Sequence, residues 1–280
     1  MVMRFLKKTY VFLIFAFLYA PILILIIFSF NQSKSRANWE GITLKWYMEL
    51  FKDRQIMSAL YNTILIAVLS SIVATLIGLI ASIGIFSMKK LQQKVVLNLN
   101  YIPILNPDIV TGISLMVLYI FMKMPLGFVT MLLAHITFNI PYVILSILPK
   151  LKQMNKHLYE AALDLGATPI EAFWKVILPE IMPGIITGFL LAFTLSIDDF
   201  VISFFTTGSG FDNLSIVIFG MARRGISPKI NALSTLMFIS VLALLIIVNI
   251  RMSKDNTERR SKIEKSKDNG RYLPDVGHDI

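Results

Sequence analysis

Residues 59–88 form a run of 30 positions without one charged side chain. As a helix rising ~1.5 Å per residue, such a run exceeds the ~30 Å hydrocarbon core of a bilayer. Lipid offers no water to backbone N–H and C=O groups, so a run of this kind satisfies them internally, as a helix. Five other runs meet the same length test. Residues 10–30 and 230–250 carry no charge, 95–122 hold Asp108, 124–149 hold His135, and 184–210 hold Asp198 and Asp199. The expectation is an all-α integral membrane protein with six transmembrane helices. Composition agrees, with 56% apolar and 16% charged residues, where soluble domains have about half and a quarter. A disordered chain, a collagen and an ordinary soluble enzyme are excluded. With no cysteine there is no disulfide, thiolate metal site or cysteine nucleophile.

The chain divides into residues 1–58 (an anchor helix and outer loop), 59–250 (the transmembrane domain) and 251–280, a polar tail with 14 charged residues. Such a tail builds no core and is expected to be disordered. The first run reads as a retained anchor, because it is too long for a signal peptide and carries Pro21. If the six runs alternate, 18 of the 27 Lys and Arg residues fall on the side of both termini and 9 on the other. Positive charge gathers in the cytoplasm, so both termini are expected there. The net charge of +10 then orients the chain and meets anionic lipid; it is not a nucleic-acid footprint. Trp39, Trp46 and Tyr47 suit the headgroup boundary.

The most informative stretch is the connection 150–183 between the fourth and fifth runs. Leu158, Ala161, Ala162 and Leu165 fall at helical spacing, and Gly166 stands where a helix closes in left-handed geometry. Thr168-Pro169-Ile170-Glu171 reads as an N-cap, a first-turn proline and the glutamate of a capping box. Ile170, Phe173, Trp174 and Ile177 make a second stripe, which Pro179 and Pro183 are expected to end. A helix pair with two apolar stripes beside water must pack on its own chain or on a partner, and periodicity does not separate these.

Glu160-Ala161-Ala162, three residues, Gly166, nine residues, Val176, one residue and Leu178-Pro179 resemble the EAA loop of ABC importer permeases of type I. Val176 departs mildly, as isoleucine is commoner there. The resemblance covers roughly residues 59–250 and implies that Glu160, Ala161, Ala162, Gly166 and Pro179 couple to a cytoplasmic ATPase. The chain has no G-x-x-x-x-G-K-[ST] stretch, so no cofactor is expected on it, and ATP and Mg belong to that ATPase. Its histidines, His135, His157 and His278, are scattered, and no nucleophile or metal cluster is evident, which argues against an enzyme.

Asp198 and Asp199 lie about 21 Å along a helix counted from Gly184. An acid at such depth costs about 2.5–3.5 kcal/mol on insertion scales and faces the bundle interior or water. Asp108 follows Pro107 in the third run. No lysine or arginine lies within these runs, so the uncompensated charge favours a cationic cargo. Neighbours on a helix point ~100° apart, so Asp198 and Asp199 do not both face one narrow path. Residues 193–205 (FTLSIDDFVISFF) and 225–235 (GISPKINALST) are similar to the spermidine/putrescine permeases among ABC importers. That resemblance implies a cargo path through Trp46, Asp108, Ser196, Asp198 and Asp199. It also implies a bacterial cytoplasmic membrane, a sister permease, two ATPase copies and an extracytoplasmic polyamine-binding protein. Alternatives are another small cation or metal chelate as cargo, or a secondary transporter whose acids relay protons. The second lacks an inverted repeat and leaves the 160–179 spacing unexplained.

Overall fold

The computed structural model describes residues 2–33, 38–225, 228–243 and 245–246. The tail 251–280, residues 226–227 of the second similar stretch, and positions 244 and 247–250 of the sixth run lie outside them. Contacts divide the chain into one unit, Met1–Thr235, and a second, Leu236–Ile280. The described residues of the second unit are helical. Apart from one antiparallel bridge between Asn31 and Ile42, no β-structure occurs among the described residues.

The heart of the first unit is three helices: α3 (Arg54–Ser87), α6 (Phe128–Gln153) and α9 (Leu178–Asp198). All are apolar almost all round, so what brings them together in lipid is close approach at small residues. Val143 of α6 is fully buried between Gly78 of α3 and Gly188 of α9. A Cβ on Gly78 would lie 2.6 Å from Val143 Cγ1, and one on Gly188 3.2 Å from the same atom. Ala74, Ile147, Ile181 and Ala192 close the core around it. Val143 is β-branched and has little room to yield. Gly78→Ala is therefore expected to cost about 1–3 kcal/mol as overpacking, read as a lowered unfolding midpoint in detergent. An unchanged midpoint would mean that the three helices do not meet as described.

Around this core stand α1 (Val2–Ser29), α2 (Lys45–Lys52), α4 (Lys90–Leu105), α5 (Asp108–Phe121), α7 (Lys156–Asp164) and α8 (Pro169–Ala172). Then come α10 (Val201–Thr206) and α11 (Leu214–Arg223); a further helix, α12 (Pro228–Ala243), begins in the first unit and ends in the second. None of the apolar window of α1 is buried against the chain, as expected of a helix whose surroundings are lipid. Its lower end is tied to α2: Tyr47 Oη lies 2.6 Å from Ser29 Oγ, and Trp46 Nε1 donates to the Asn31 carbonyl at 2.7 Å.

Among the described residues four helices are long and apolar enough to cross a membrane, Leu6–Ser29, Arg54–Ser87, Phe128–Gln153 and Pro169–Asp198, or five if one bent pair counts as a span. The chain departs from six simple runs at three places. The third run bends by 101° between α4 and α5. Pro107 bars Asn106 from helical geometry, and Asn106 is extended at φ −73°, ψ 141°. The fifth run stops at Asp198 and resumes at Val201 as α10. Pro179 and Pro183 do not end the second stripe. Instead α8 runs through a π turn, Phe173–Ile177, into α9. In that turn the Leu178 N–H reaches back five residues to the Phe173 carbonyl. The wider turn makes room where the Pro179 ring would press on the carbonyl four residues earlier.

At the other end of α3, Asp53 accepts from the N–H groups of Gln55 and Ile56 and pairs with Lys229 of α12. The Lys229 hydrogen bond, more than the backbone donors, holds its carboxyl below the usual 3.8. Because the folded value is the lower one, this stabilisation is complete at neutral pH and is lost as pH falls through it. Lys229→Met should flatten the acid side of the unfolding-midpoint profile between pH 7 and 3. An equally steep fall in that variant would assign the acid sensitivity elsewhere.

Candidate functional site

Helix α9 ends at Asp198, and Asp199 turns extended at φ −62°, ψ 122°. The last carbonyls of α9 then have no helical partners of their own, and they form the negative end of its dipole. Asp198 sits on that end with its side chain exposed. Asp199 does the opposite. Its side chain is only 8% exposed, and its two oxygens accept the Ile202 and Ser203 N–H groups at 3.2 and 2.8 Å, so it caps α10. The geometry thus separates two acids that are adjacent in sequence.

Polar side chains from three other elements close on this break. His135 of α6 is buried, with Nε2 3.0 Å from Ser203 Oγ and 3.7 Å from the Asp199 carboxylate. Asn213, ahead of α11, donates Nδ2 to Ser203 Oγ at 2.7 Å. On the α9 side Ser196 is 2% exposed; it accepts from Asn139 Nδ2 at 2.8 Å and lies 3.1 Å from Ser70 Oγ. Ser196 was expected to line a path, and it stands inside the three-helix core.

Asp108 opens α5 at the 101° bend and is exposed. One turn on, Gly112 packs on α10, where a Cβ would meet Phe205 Cδ2 at 3.0 Å and Ile202 Cα at 3.5 Å. The structure therefore packs α5, the helix that Asp108 opens, against the helix that Asp199 caps. Trp46 is not part of this group. Its indole is 4% exposed and its N–H is spent on Asn31, so its face is turned into the α1–α2 corner. His135, Asn139, Ser203 and Asn213 were not singled out from the sequence. The signal was the pair His135 and Asn139, four apart on one face of a mostly apolar helix.

The second feature is the connection from α6 to α9. Asn155 caps α7, and Gly166 closes it in left-handed geometry at φ +87°. Thr168 Oγ1 accepts the Glu171 N–H while the Glu171 carboxylate takes the Thr168 N–H at 3.0 Å, the reciprocal box read from the sequence. The first stripe and half of the second point outward, while Phe173 and Ile177 are half-buried and Ile177 packs on the three-helix core. Leu165 is 89%, Ile170 71% and Trp174 61% exposed. Glu160, Ala161, Gly166 and Pro179 are exposed as well, and Ala162 is half-buried. Behind them, a cavity of about 380 Å³ lined by Phe86, Leu151, Tyr159, Glu160 and Phe173 separates the connection from the ends of α3 and α6. Among the described residues no three acids or histidines gather as a metal site.

A multi-pass helical membrane protein with broken helices and an exposed amphipathic connection defines a transport component. Residues 74–253 match the family of binding-protein-dependent transport system inner membrane components, and the chain belongs to that family. It is 35% identical over 252 residues to the spermidine/putrescine transport system permease protein PotC of Haemophilus influenzae, covering 90% of this chain and 98% of that one. It is 37% identical over 258 residues to PotC of Escherichia coli K12, covering 92% and 97%. With the putrescine permease PotI of the same strain it shares 37%, over 90% of this chain and 92% of that one. The fold matches a chain of a bacterial ABC transporter that imports alginate, with a TM-score of 0.69 at 18% identity, over 90% of this chain and 95% of that one.

Proposed function

We propose that this chain is a membrane-spanning permease subunit of an ATP-driven spermidine/putrescine importer in a bacterial cytoplasmic membrane. The observation that carries the cargo is identity of 35–37% to polyamine permeases along nearly the whole chain. The site fits such a cargo: Asp198, the carbonyl end of α9 and Asp108 offer negative charge, which replaces part of the hydration of an alkylammonium. In this reading six passes cross the membrane: α1, α3, the bent pair α4–α5, α6, α9 and the sixth uncharged run, 230–250. Both termini and the α6–α9 connection lie in the cytoplasm.

The path forms with a sister permease. Glu160, Ala161, Ala162, Gly166 and Pro179 dock on one of two copies of an ABC ATPase, which holds ATP and Mg. ATP binding closes the ATPase dimer, moves the connection and turns the bundle to face outward, where a polyamine-binding protein delivers its load. Of the path residues, Asp198 and Asp108 contact the cation, while Ser196, Asp199 and Trp46 act through the shape of their surroundings.

The test is uptake of labelled spermidine and putrescine into proteoliposomes holding the reconstituted complex, binding protein outside and ATP within. Accumulation that requires ATP and the binding protein is the expected result. Uptake driven by a proton gradient alone would overturn the energy source. ATP hydrolysis stimulated by the binding protein without polyamine uptake would overturn the cargo.

A further inference from the structure

The break at Asp198 and Asp199 is gripped from both sides by a single helix. Before it, Ser196 is held by Asn139; after it, Ser203 is held by His135. His135 and Asn139 are four residues apart on α6, hence on one face, and both are buried, at 1% and 0% exposure. Ser70 of α3 and Asn213 complete the two grips. The arrangement is not one that bundle stability alone would select. Asn139 leaves its Oδ1 without a partner among the described residues, a penalty that a leucine there would avoid.

We propose that His135 and Asn139 are positioning residues for cargo transfer. They pin the two serines that flank the break, which keeps α9 and α10 apart in register. Asp199 is thereby committed to capping α10, and Asp198, with the open carbonyl end of α9, is presented for an alkylammonium. The task of Asp198 rests on the polyamine reading above; the grip on the break does not.

The test uses the complete reconstituted complex and has two arms. The chain has no cysteine of its own, so Asp198→Cys reports its exposure through its rate of modification by a cationic methanethiosulfonate, counted by mass on this chain. In His135→Leu and in Ser203→Ala, which removes the same bond from the smaller partner, that rate should fall about tenfold, since thiol reactivity follows exposure and local charge. Lys90→Cys, exposed at the start of α4 and outside both the break and the α6–α9 connection, serves as the reference rate. In the second arm, with Asp198 intact, His135→Leu and Asn139→Leu should raise the KM for spermidine about tenfold while turnover of bound cargo and ATP hydrolysis stay near the parent, the pattern of lost binding interactions. His135→Asn, which restores a side chain able to donate or accept, should recover most of the affinity. Unchanged labelling in both His135→Leu and Ser203→Ala would overturn the proposal, as would equal losses of KM and turnover without rescue. If the parent complex moves no polyamine, the cargo reading falls and the labelling arm still decides the grip.

Discussion

Asp198→Asn is expected to slow spermidine uptake at low concentration about 10- to 100-fold while leaving the complex assembled. The side chains are nearly the same size, so the change removes charge and little else. A hydrogen bond to a charged group contributes about 1.5–3 kcal/mol, and each 1.4 kcal/mol is a factor of about ten. The exposed carboxylate lies on the carbonyl end of α9, so the ammonium meets two negative features at once, and the amide leaves only the weaker one. Asp198→Glu should retain a larger share, limited by the extra methylene. Asp199→Asn should behave differently. Its carboxylate takes two backbone N–H groups, of Ile202 and Ser203, and an amide has only one acceptor oxygen. Its main effect is then on yield and unfolding midpoint, because the cap of α10 weakens. Initial uptake rates against spermidine concentration, beside the amount of assembled complex, separate the two cases. Full-rate uptake by Asp198→Asn would remove this carboxylate from the path.

The contrast between these neighbours shows where reading the sequence stops. The run 59–88 announced α3, since no other structure satisfies 30 uncharged residues in lipid. Gly166 and the Thr168–Glu171 box were legible because capping is local chemistry between residues three apart. The bends were only half legible. Pro107 marks a place where a helix cannot continue straight, yet its 101° angle depends on what α4 and α5 pack against. Pro179 misled because a proline stops a helix only if the turn before it cannot widen, and the Phe173–Ile177 turn does; α9 also continues through Pro183. The separate tasks of Asp198 and Asp199 were invisible, because a break is decided by His135, Asn139 and Asn213, each far along the chain. Counting apolar residues treats a lone histidine or asparagine in a span as noise, and here those residues hold the site. The Asp53–Lys229 pair, 176 positions apart, left no local trace at all.

Leu165→Asp is expected to release the ATPase from the purified complex and abolish ATP-dependent uptake. Leu165 is 89% exposed on a connection fixed on both sides, by the left-handed Gly166 after α7 and by the capping box of α8. Fully burying a leucine side chain contributes about 1.5–3 kcal/mol, so its loss from an interface weakens the complex roughly 10- to 100-fold. Replacing it with a carboxylate adds the desolvation of a charge in any interface that buries this position. Ala161→Arg tests the same face from α7, where a small residue admits close approach. Glu160→Lys should be subtler. The Glu160 pair with His157, at 3.3 Å, is largely solvent-exposed and therefore weak, so its carboxylate is available to a basic group on the ATPase. Reversing the charge should leave part of the ATPase bound but uncouple its hydrolysis from uptake. Glu171→Ala, which removes half of the capping box, should weaken retention without abolishing it, since one cap is worth about 1 kcal/mol. Retention of ATPase on the affinity-tagged permease, measured beside hydrolysis stimulated by the binding protein, distinguishes release from uncoupling. If Leu165→Asp and Ala161→Arg both keep the ATPase bound and uptake intact, the exposed stripes face something other than the motor, and the coupling assigned to this connection is wrong.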